Sequence, residues 1–300
     1  MTRRTFLAAL ATPVPATCVV DTHTHFYDPS RPQGVPWPPR SETTLYRTVL
    51  PAEFRKLAEP FGVKGTVVVE ASAWVEDNQW ILDLAARDPY LLGLVGHLDP
   101  GKPEFARNLA RFRRNPLFLG IRTGGAAAAE AWQSAAHIED YRRLADAGLE
   151  LDVLVTPVEF AGVARLADRV PALRMVLNHL PGPTPVSRAS LRELAARSAI
   201  FVKVSSVLRR VDGRVVTDLN AYRDSLDALW EMFGADRLIY GSDWPVSARV
   251  APYAAVITIV RRYFESKGRE ACEKYFWRNS RSAYGWRDRG PRPTCTLEKK

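Results

Sequence analysis

Three hundred residues, 46% of them hydrophobic and 25% charged, suit one large globular domain, and α/β barrels commonly run about 200–250 residues as a single unit. The net charge of +9 does not indicate a nucleic-acid partner, because the arginines are scattered through helix-like segments and the tail after Tyr284, and no zinc-finger, helix-turn-helix or RNA-binding motif accompanies them. No apolar run approaches the ~18 residues of a membrane span, and the widely spaced Cys18, Cys272 and Cys295 make neither a disulfide framework nor a Cys-x-x-Cys metal site.

Residues 1–17 contain Thr2-Arg3-Arg4-Thr5-Phe6-Leu7, which resembles a twin-arginine export signal. The apolar part is short and the first strand follows at once. A frayed terminus on a cytoplasmic protein is the expectation, with export to the periplasm as the alternative. The stretch Val19-Val20-Asp21-Thr22-His23-Thr24-His25 then reads as a strand ending in two histidines. Successive strand side chains point to opposite faces, so His23 and His25 share one and can converge on a metal ion or a substrate atom. A long proline-rich loop, residues 26–50, carries Trp37 and reads as an ordered wall.

From there apolar, β-branched runs alternate with helical segments. Strands are predicted over residues 66–72, 91–99, 118–124, 149–155, 174–180, 200–206 and 238–244. Helices are predicted over 51–60, 77–87, 104–113, 129–147, 158–168, 190–197, 219–233 and 252–264, several ending on stop signals such as Asp88-Pro89, Gly148 and Gly234. Eight such units indicate an α/β fold with a parallel sheet covered on its faces: a single-domain (β/α)8 TIM barrel over residues 18–286. Residues 287–300 form a basic tail, expected to be poorly ordered or draped over the surface.

Strand phase collects a polar set. Lys203 and Ser205 oppose Val202 and Val204, Glu70 opposes Val67 and Val69, and Arg122 opposes Leu119 and Ile121. Met175, Leu177 and His179 fall together, while Gly241 and Asp243 oppose Tyr240 and Ser242. If the apolar residues pack outward against helices, Asp21, His23, His25, Glu70, Arg122, His179, Lys203 and Asp243 converge at the C-terminal mouth, where barrel sites are built. Buried ionisable groups are costly unless paired or ligated, so packing alone explains such a set poorly. Each has a structural reading as well: Lys203 with Glu70 as an ion pair, Arg122 as a brace, His97 as structural, His137 as a surface residue. Asp152 also points inward, with its role open. The loops around Trp37 and Trp74, and residues 124–129 and 208–219, would set specificity.

On these residues the chain resembles the amidohydrolase superfamily, and within it the branch of L-fuconolactonase-like and 2-pyrone-4,6-dicarboxylate lactonase-like hydrolases. The resemblance covers residues 19–286. It rests on Asp-Thr-His-Thr-His at strand 1, Gly-Ile-Arg at strand 4, Asn-His-Leu at strand 6, Lys-Val-Ser at strand 7 and Tyr-Gly-Ser-Asp-Trp-Pro at strand 8. It implies hydrolysis of a small-molecule lactone, a sugar lactone or related cyclic ester, by water attack at a His/His/His/Asp site. It also implies one divalent metal, zinc, on His23, His25, His179 and Asp243, with metal-independent catalysis as the alternative. Asp243 would be the base, His179 and His25 would ligate or polarise, and Arg122, Lys203, Glu70, Trp74 and Trp37 would contact substrate.

Strand 5 ends without a histidine and strand 4 lacks a bridging lysine, so a two-metal centre is not expected. Asn178-His179 stands where many relatives have Asp-His, which leaves the orientation of His179 open. The rivals are a metal-dependent decarboxylase of the same branch and an inactive ligand-binding barrel. A serine-hydrolase elbow and a dinucleotide-binding glycine loop are both absent from the sequence. Nothing in it speaks to oligomeric state.

Overall fold

The computed structural model describes residues 18–124, 134–154, 156–180, 187–290 and 295. Eight strands pair in parallel, in chain order, with helices between them. The strands are β1 Val19–Thr24, β2 Val63–Val69, β3 Leu91–Gly96, β4 Phe118–Gly124, β5 Glu150–Leu154, β6 Met175–Leu177, β7 Ile200–Val204 and β8 Leu238–Tyr240. The helices that follow each in turn are α1 Pro51–Ala58, α2 Asp77–Arg87, α3 Phe105–Phe112, α4 Ala135–Asp146, α5 Phe160–Arg169, α6 Arg188–Ala195, α7 Asn220–Phe233 and α8 Tyr253–Ser266. The ring closes through the chain after β8. Thr24 bridges Trp244, the Asp243 N–H donates to the His23 carbonyl (2.9 Å), and the His25 N–H donates to the Trp244 carbonyl (2.9 Å). The (β/α)8 barrel expected from alternation is therefore the fold, and its seam is built from the backbone of the site residues themselves.

Local sequence explains where the helices start and stop. Pro51 opens α1, where its missing N–H is no loss. Ser134 caps α4 by accepting the His137 N–H. Gly148 (φ 71°) and Gly234 (φ 69°) turn the chain out of α4 and α7 in a conformation that costs glycine little.

Two apolar layers surround the strands. The outer one joins Val68, Leu94, Ile121, Leu151, Val153, Met175, Leu177, Val202 and Val204 to buried faces of the helices. The inner one joins Val20, Val67, Val69, Leu92, Val95, Leu119, Val176, Phe201 and Ile239 across the strands, and so fills the barrel. This corrects the expectation that apolar residues pack outward and polar ones inward. The lower barrel is a packed core, as closure of eight strands requires. Polar residues reach the mouth because β2, β6 and β8 end at Val69, Leu177 and Tyr240, earlier than predicted. Glu70, His179 and Asp243 stand just beyond the last paired residue, free of strict alternation.

A second correction concerns Asp21. In β1, Asp21 pairs with Thr66 and Thr24 with Val68, so three steps on one strand oppose two on the other. The bulge breaks the alternation. It puts Asp21 and His23 on opposite faces: Asp21, next to inward-packed Val20, points away from the mouth, where its carboxylate accepts the Ser242 N–H (2.9 Å), the His23 N–H (3.1 Å) and the Tyr253 hydroxyl (3.2 Å). Burial raises its pKa to about 6, the bonds from Ser242, His23 and Tyr253 opposing the rise.

After α8 come two elements the sequence did not reveal, helices at Arg269–Glu273 and Asn279–Tyr284 joined by a π turn, Lys274–Arg278. A short hairpin, Arg210–Val211 with Arg214–Val215, is likewise new. Trp277, Ala283, Tyr284, Trp286 and Cys295 pack onto the inner layer, closing the floor of the barrel. Arg289 donates to the carbonyls of Ala85, Asp88 and Leu91. Cys295 is disulfide-bonded to Cys18, 277 residues away. The cysteines thus do form one bridge, contrary to expectation, and the described part of the tail is bound to the barrel. The export-signal segment, the loop at 125–129, the predicted helix start at 129–133 and the remaining tail residues lie outside the described residues. Among the described residues no helix is long and apolar enough to cross a membrane.

Candidate active site

Three imidazoles surround one carboxylate oxygen at the barrel mouth. Asp243 Oδ1 lies 3.7 Å from His23 Nε2, 3.4 Å from His25 Nε2 and 3.7 Å from His179 Nε2. The His23 ring sits 4.9 Å from that of His25 and 4.4 Å from that of His179, centroid to centroid. The four residues assigned by sequence to the catalytic centre are brought together.

The backbone holds two of them in an unusual state. His179 (φ 55°) and Asp243 (φ 61°) occupy the left-handed region, sparsely populated by non-glycine residues and costing on the order of 1–3 kcal/mol each. This resolves the phase problem of strand 6: the left-handed turn carries His179 into the mouth although Met175 and Leu177 face the helices. Gly241 lets the strands come close at the seam. A Cβ there would lie 2.8 Å from His23 Cβ and 2.9 Å from Lys203 Cδ.

Each ring is oriented by its far nitrogen. His25 Nδ1 lies 3.0 Å from the Val69 carbonyl, which can only accept, so Nδ1 carries the proton and Nε2 faces Asp243. His179 Nδ1 bonds Ser205 Oγ at 3.0 Å and reaches Ser206 Oγ at 3.5 Å. Ser205 is a site residue that sequence reasoning left without a role. The Lys-Val-Ser motif carried its signal, but the partner became visible only in three dimensions. His23 Nδ1 faces Lys203 Nζ at 3.1 Å, and His23 Nε2 is buried with no hydrogen-bond partner.

Burial sets the charges. It lowers the pKa of His179 to about 4, with Asp243 opposing and the Lys203 and Arg122 charges assisting. Burial, then the Lys203 charge, holds His23 well below the usual histidine range. Burial alone would raise Asp243, but its close histidine neighbours His25 and His179 and the Arg122 charge outweigh it and keep the carboxyl below its usual range. The site at neutral pH is a carboxylate facing neutral His23 and His179.

Such a donor set suits a divalent cation. One ligand atom each from His23, His179 and Asp243 lies within 4.8 Å of the others, and zinc bonds of about 2.0–2.2 Å to nitrogen and oxygen need only a small closure of that cluster. The unpartnered His23 Nε2 and the 3.4 Å approach of His25 Nε2 to Asp243 both leave room for a cation or a substrate oxygen between them.

The remaining assignments divide. Lys203 does not pair with Glu70, as one structural reading had it; its Nζ donates to Asp152 Oδ2 at 2.9 Å. Glu70 pairs with Arg122, whose Nε donates to Oε1 and whose Nη2 donates to the Glu70 carbonyl, both at 2.8 Å. The β7 and β5 side chains meet inside the barrel, whereas Glu70 stands at its rim. Arg122 and Glu70 line an open cleft with His97, Asp99, Lys102 and His137. Here His97 Nε2 contacts Asp99 Oδ1 at 3.2 Å, and half-buried His137 helps form a wall rather than standing free on the surface. The Trp37 ring packs 5.8 Å from the His25 ring, centroid to centroid. Trp74 is 40% exposed.

Comparison with known proteins agrees with this geometry. The profile of the amidohydrolase family (Amidohydro_2) matches residues 20–286. An L-fucono-1,5-lactonase of Burkholderia ambifaria is 32% identical over 236 residues, 76% of this chain and 80% of that protein. One of Burkholderia multivorans is 29% identical over 282 residues, 86% of this chain and 92% of that protein. A crystal structure of a Burkholderia multivorans amidohydrolase with bound zinc superposes with a TM-score of 0.81 at 26% identity, over 90% of this chain and 99% of that one. Barrel, mouth cluster and profile agree: the chain belongs to the amidohydrolase family.

Proposed function

We propose that the chain hydrolyses lactones of the sugar-lactone class. The observation that carries the reading is the ring of three imidazole Nε2 atoms around one Asp243 oxygen at the barrel mouth. The likeness to two L-fucono-1,5-lactonases supports it. A lactone carbonyl seated among the imidazoles gains a polarising environment where oxyanion charge develops. Asp243, held ionised, takes a proton from the attacking water and returns it to the ring alkoxide as the ester bond breaks. A divalent cation held by His23, His179 and Asp243, with His25 beside it, would add electrophilic polarisation of the carbonyl. The test is a panel of 1,5- and 1,4-sugar lactones followed by proton release, before and after chelation. Hydrolysis of no lactone would sink the reading.

The rim favours a neutral, hydroxylated substrate over a dicarboxylate. Arg122 already spends its Nε and Nη2 on Glu70, so the pair offers one acceptor side and one donor side with little net charge. Arg122→Met is expected to raise KM for the best lactone about tenfold while changing kcat little, the signature of lost uniform binding. An unchanged KM would place the rim outside the substrate.

The pH profile follows from His179. With its pKa near 4, the ring is neutral above that pH and gains a proton only as pH falls through it. The acid limb of kcat/KM is therefore expected near pH 4 rather than near 6.5. A limb at 6.5 would mean that a histidine of ordinary pKa controls the reaction.

We also propose an oxidising compartment. The Cys18–Cys295 bond belongs where disulfides persist, and Arg3-Arg4 supplies a route for export of the folded chain. Replacing Arg3 and Arg4 by lysine should retain the protein in the cytoplasm, read by cell fractionation. Equal distribution of both forms would refute it.

A further inference from the structure

A buried polar column runs up the barrel axis from the floor to the mouth, and it ends on His23. The Tyr284 hydroxyl, from the C-terminal helix, donates to Asp152 Oδ1 at 2.8 Å. Lys203 Nζ donates to Asp152 Oδ2 at 2.9 Å and faces His23 Nδ1 at 3.1 Å. Asp152, Lys203 and His23 have no solvent-exposed surface. Beside them lies Glu150, whose carboxyl is held well above the carboxylate range, chiefly by burial and then by the Asp152 charge. The 2.9 Å contact between Lys203 and Asp152 makes the column an ion pair, an ammonium against a carboxylate, and Asp152 opposes the burial that pulls the Lys203 pKa down.

An ammonium has three donors and no acceptor. Toward His23 it can only donate, so His23 Nδ1 must accept and the ring proton must sit on Nε2. His25, two residues away, has the opposite arrangement, because its Nδ1 faces the Val69 carbonyl. The two histidines of one motif therefore present different faces to the site: His25 a nitrogen lone pair, His23 an N–H.

We propose that Lys203, anchored by Asp152 and Tyr284, is a positioning residue that fixes His23 as the Nε2–H tautomer, making it a hydrogen-bond donor to an oxygen in the site. The buried, unpartnered His23 Nε2 is then the donor awaiting that oxygen. A cation that takes His23 as a ligand must first displace this proton, so Lys203 also weakens metal binding there. The purpose given to the donor, polarising a lactone carbonyl, rests on the lactonase reading; the tautomer does not.

The test is long-range proton–nitrogen NMR on the metal-stripped full-length protein, labelled with ring-¹⁵N histidine and without substrate. His23 signals are assigned by their loss in His23→Gln. In the wild type, His23 is expected with Nε2 protonated, and His25 with Nδ1 protonated as the internal control. In Lys203→Met, His23 is expected to move to the Nδ1–H form or to a mixture, with kcat falling about 10–100-fold and His25 unchanged. If Lys203→Met does not fold, the wild-type spectrum alone decides. A wild-type His23 carrying its proton on Nδ1, or the same tautomer in both proteins, overturns the proposal. Correct tautomers in a protein that hydrolyses no lactone would leave it standing and remove only the substrate reading.

Discussion

Asp243→Asn is expected to lower kcat for lactone hydrolysis by about 10³-fold or more, while the protein keeps its circular dichroism and melts within a few degrees of wild type. Asparagine has nearly the same volume and tolerates the left-handed backbone of this position (φ 61°). The seam hydrogen bond to the His23 carbonyl comes from the main-chain N–H and survives the change. What is lost is a base within 3.4–3.7 Å of three imidazole nitrogens. An amide cannot take a proton from water near neutral pH, and its NH₂ group set against the rings would orient them for a different guest. Turnover within tenfold of wild type would remove Asp243 from the mechanism and shift the base to His25, whose Nε2 offers the remaining lone pair.

The order of βα units was legible because it is written in local periodicity: apolar runs of strand length, helix stops and capping residues. Strand ends were not. Where β2, β6 and β8 stop depends on how far neighbouring strands stay in register around a closed ring, which no window of sequence contains. His23, His25 and Asp243 could be gathered because motifs at the first and last strands must meet when the barrel closes. Asp21 was misplaced because a single extra residue in β1 reverses the side-chain direction. Lys203 was matched in one reading to the wrong carboxylate for a related reason. Its stem runs inside the barrel to β5, whereas Glu70 emerges at the rim, and only depth along the axis separates them.

The cysteines show a different limit. Spacing rules work for small stapled domains, where the bridges define the fold. Here the bridge joins the two ends of a large one, and its geometry exists only because Trp286 and Arg289 lead the tail beneath the barrel to the start of β1. Ser205 was hidden in the same way. Its partner, the Nδ1 of His179, is displayed by a left-handed turn that sequence does not announce.

Asp152→Ala is expected to destabilise the protein by about 3–5 kcal/mol, because it removes the carboxylate 2.9 Å from the buried Lys203 ammonium. For a chain of this size that is a fall of roughly 10 °C in Tm. The Tyr284 hydroxyl loses its acceptor in the same step, so the floor of the barrel loosens along with its axis. The loss should not be read as the net worth of the pair, since most of it is the penalty on the orphaned partner. The double variant Asp152→Leu with Lys203→Met, which removes both charges and fills their space, is expected to recover most of the lost stability. It should not recover activity, because the donor that orients His23 is gone. Stability and turnover then separate: an apolar column folds the barrel as well as the ionic one, and the ion pair stands there for the sake of the histidine above it. A double variant as unstable as Asp152→Ala would reverse that conclusion and make the column a structural element first.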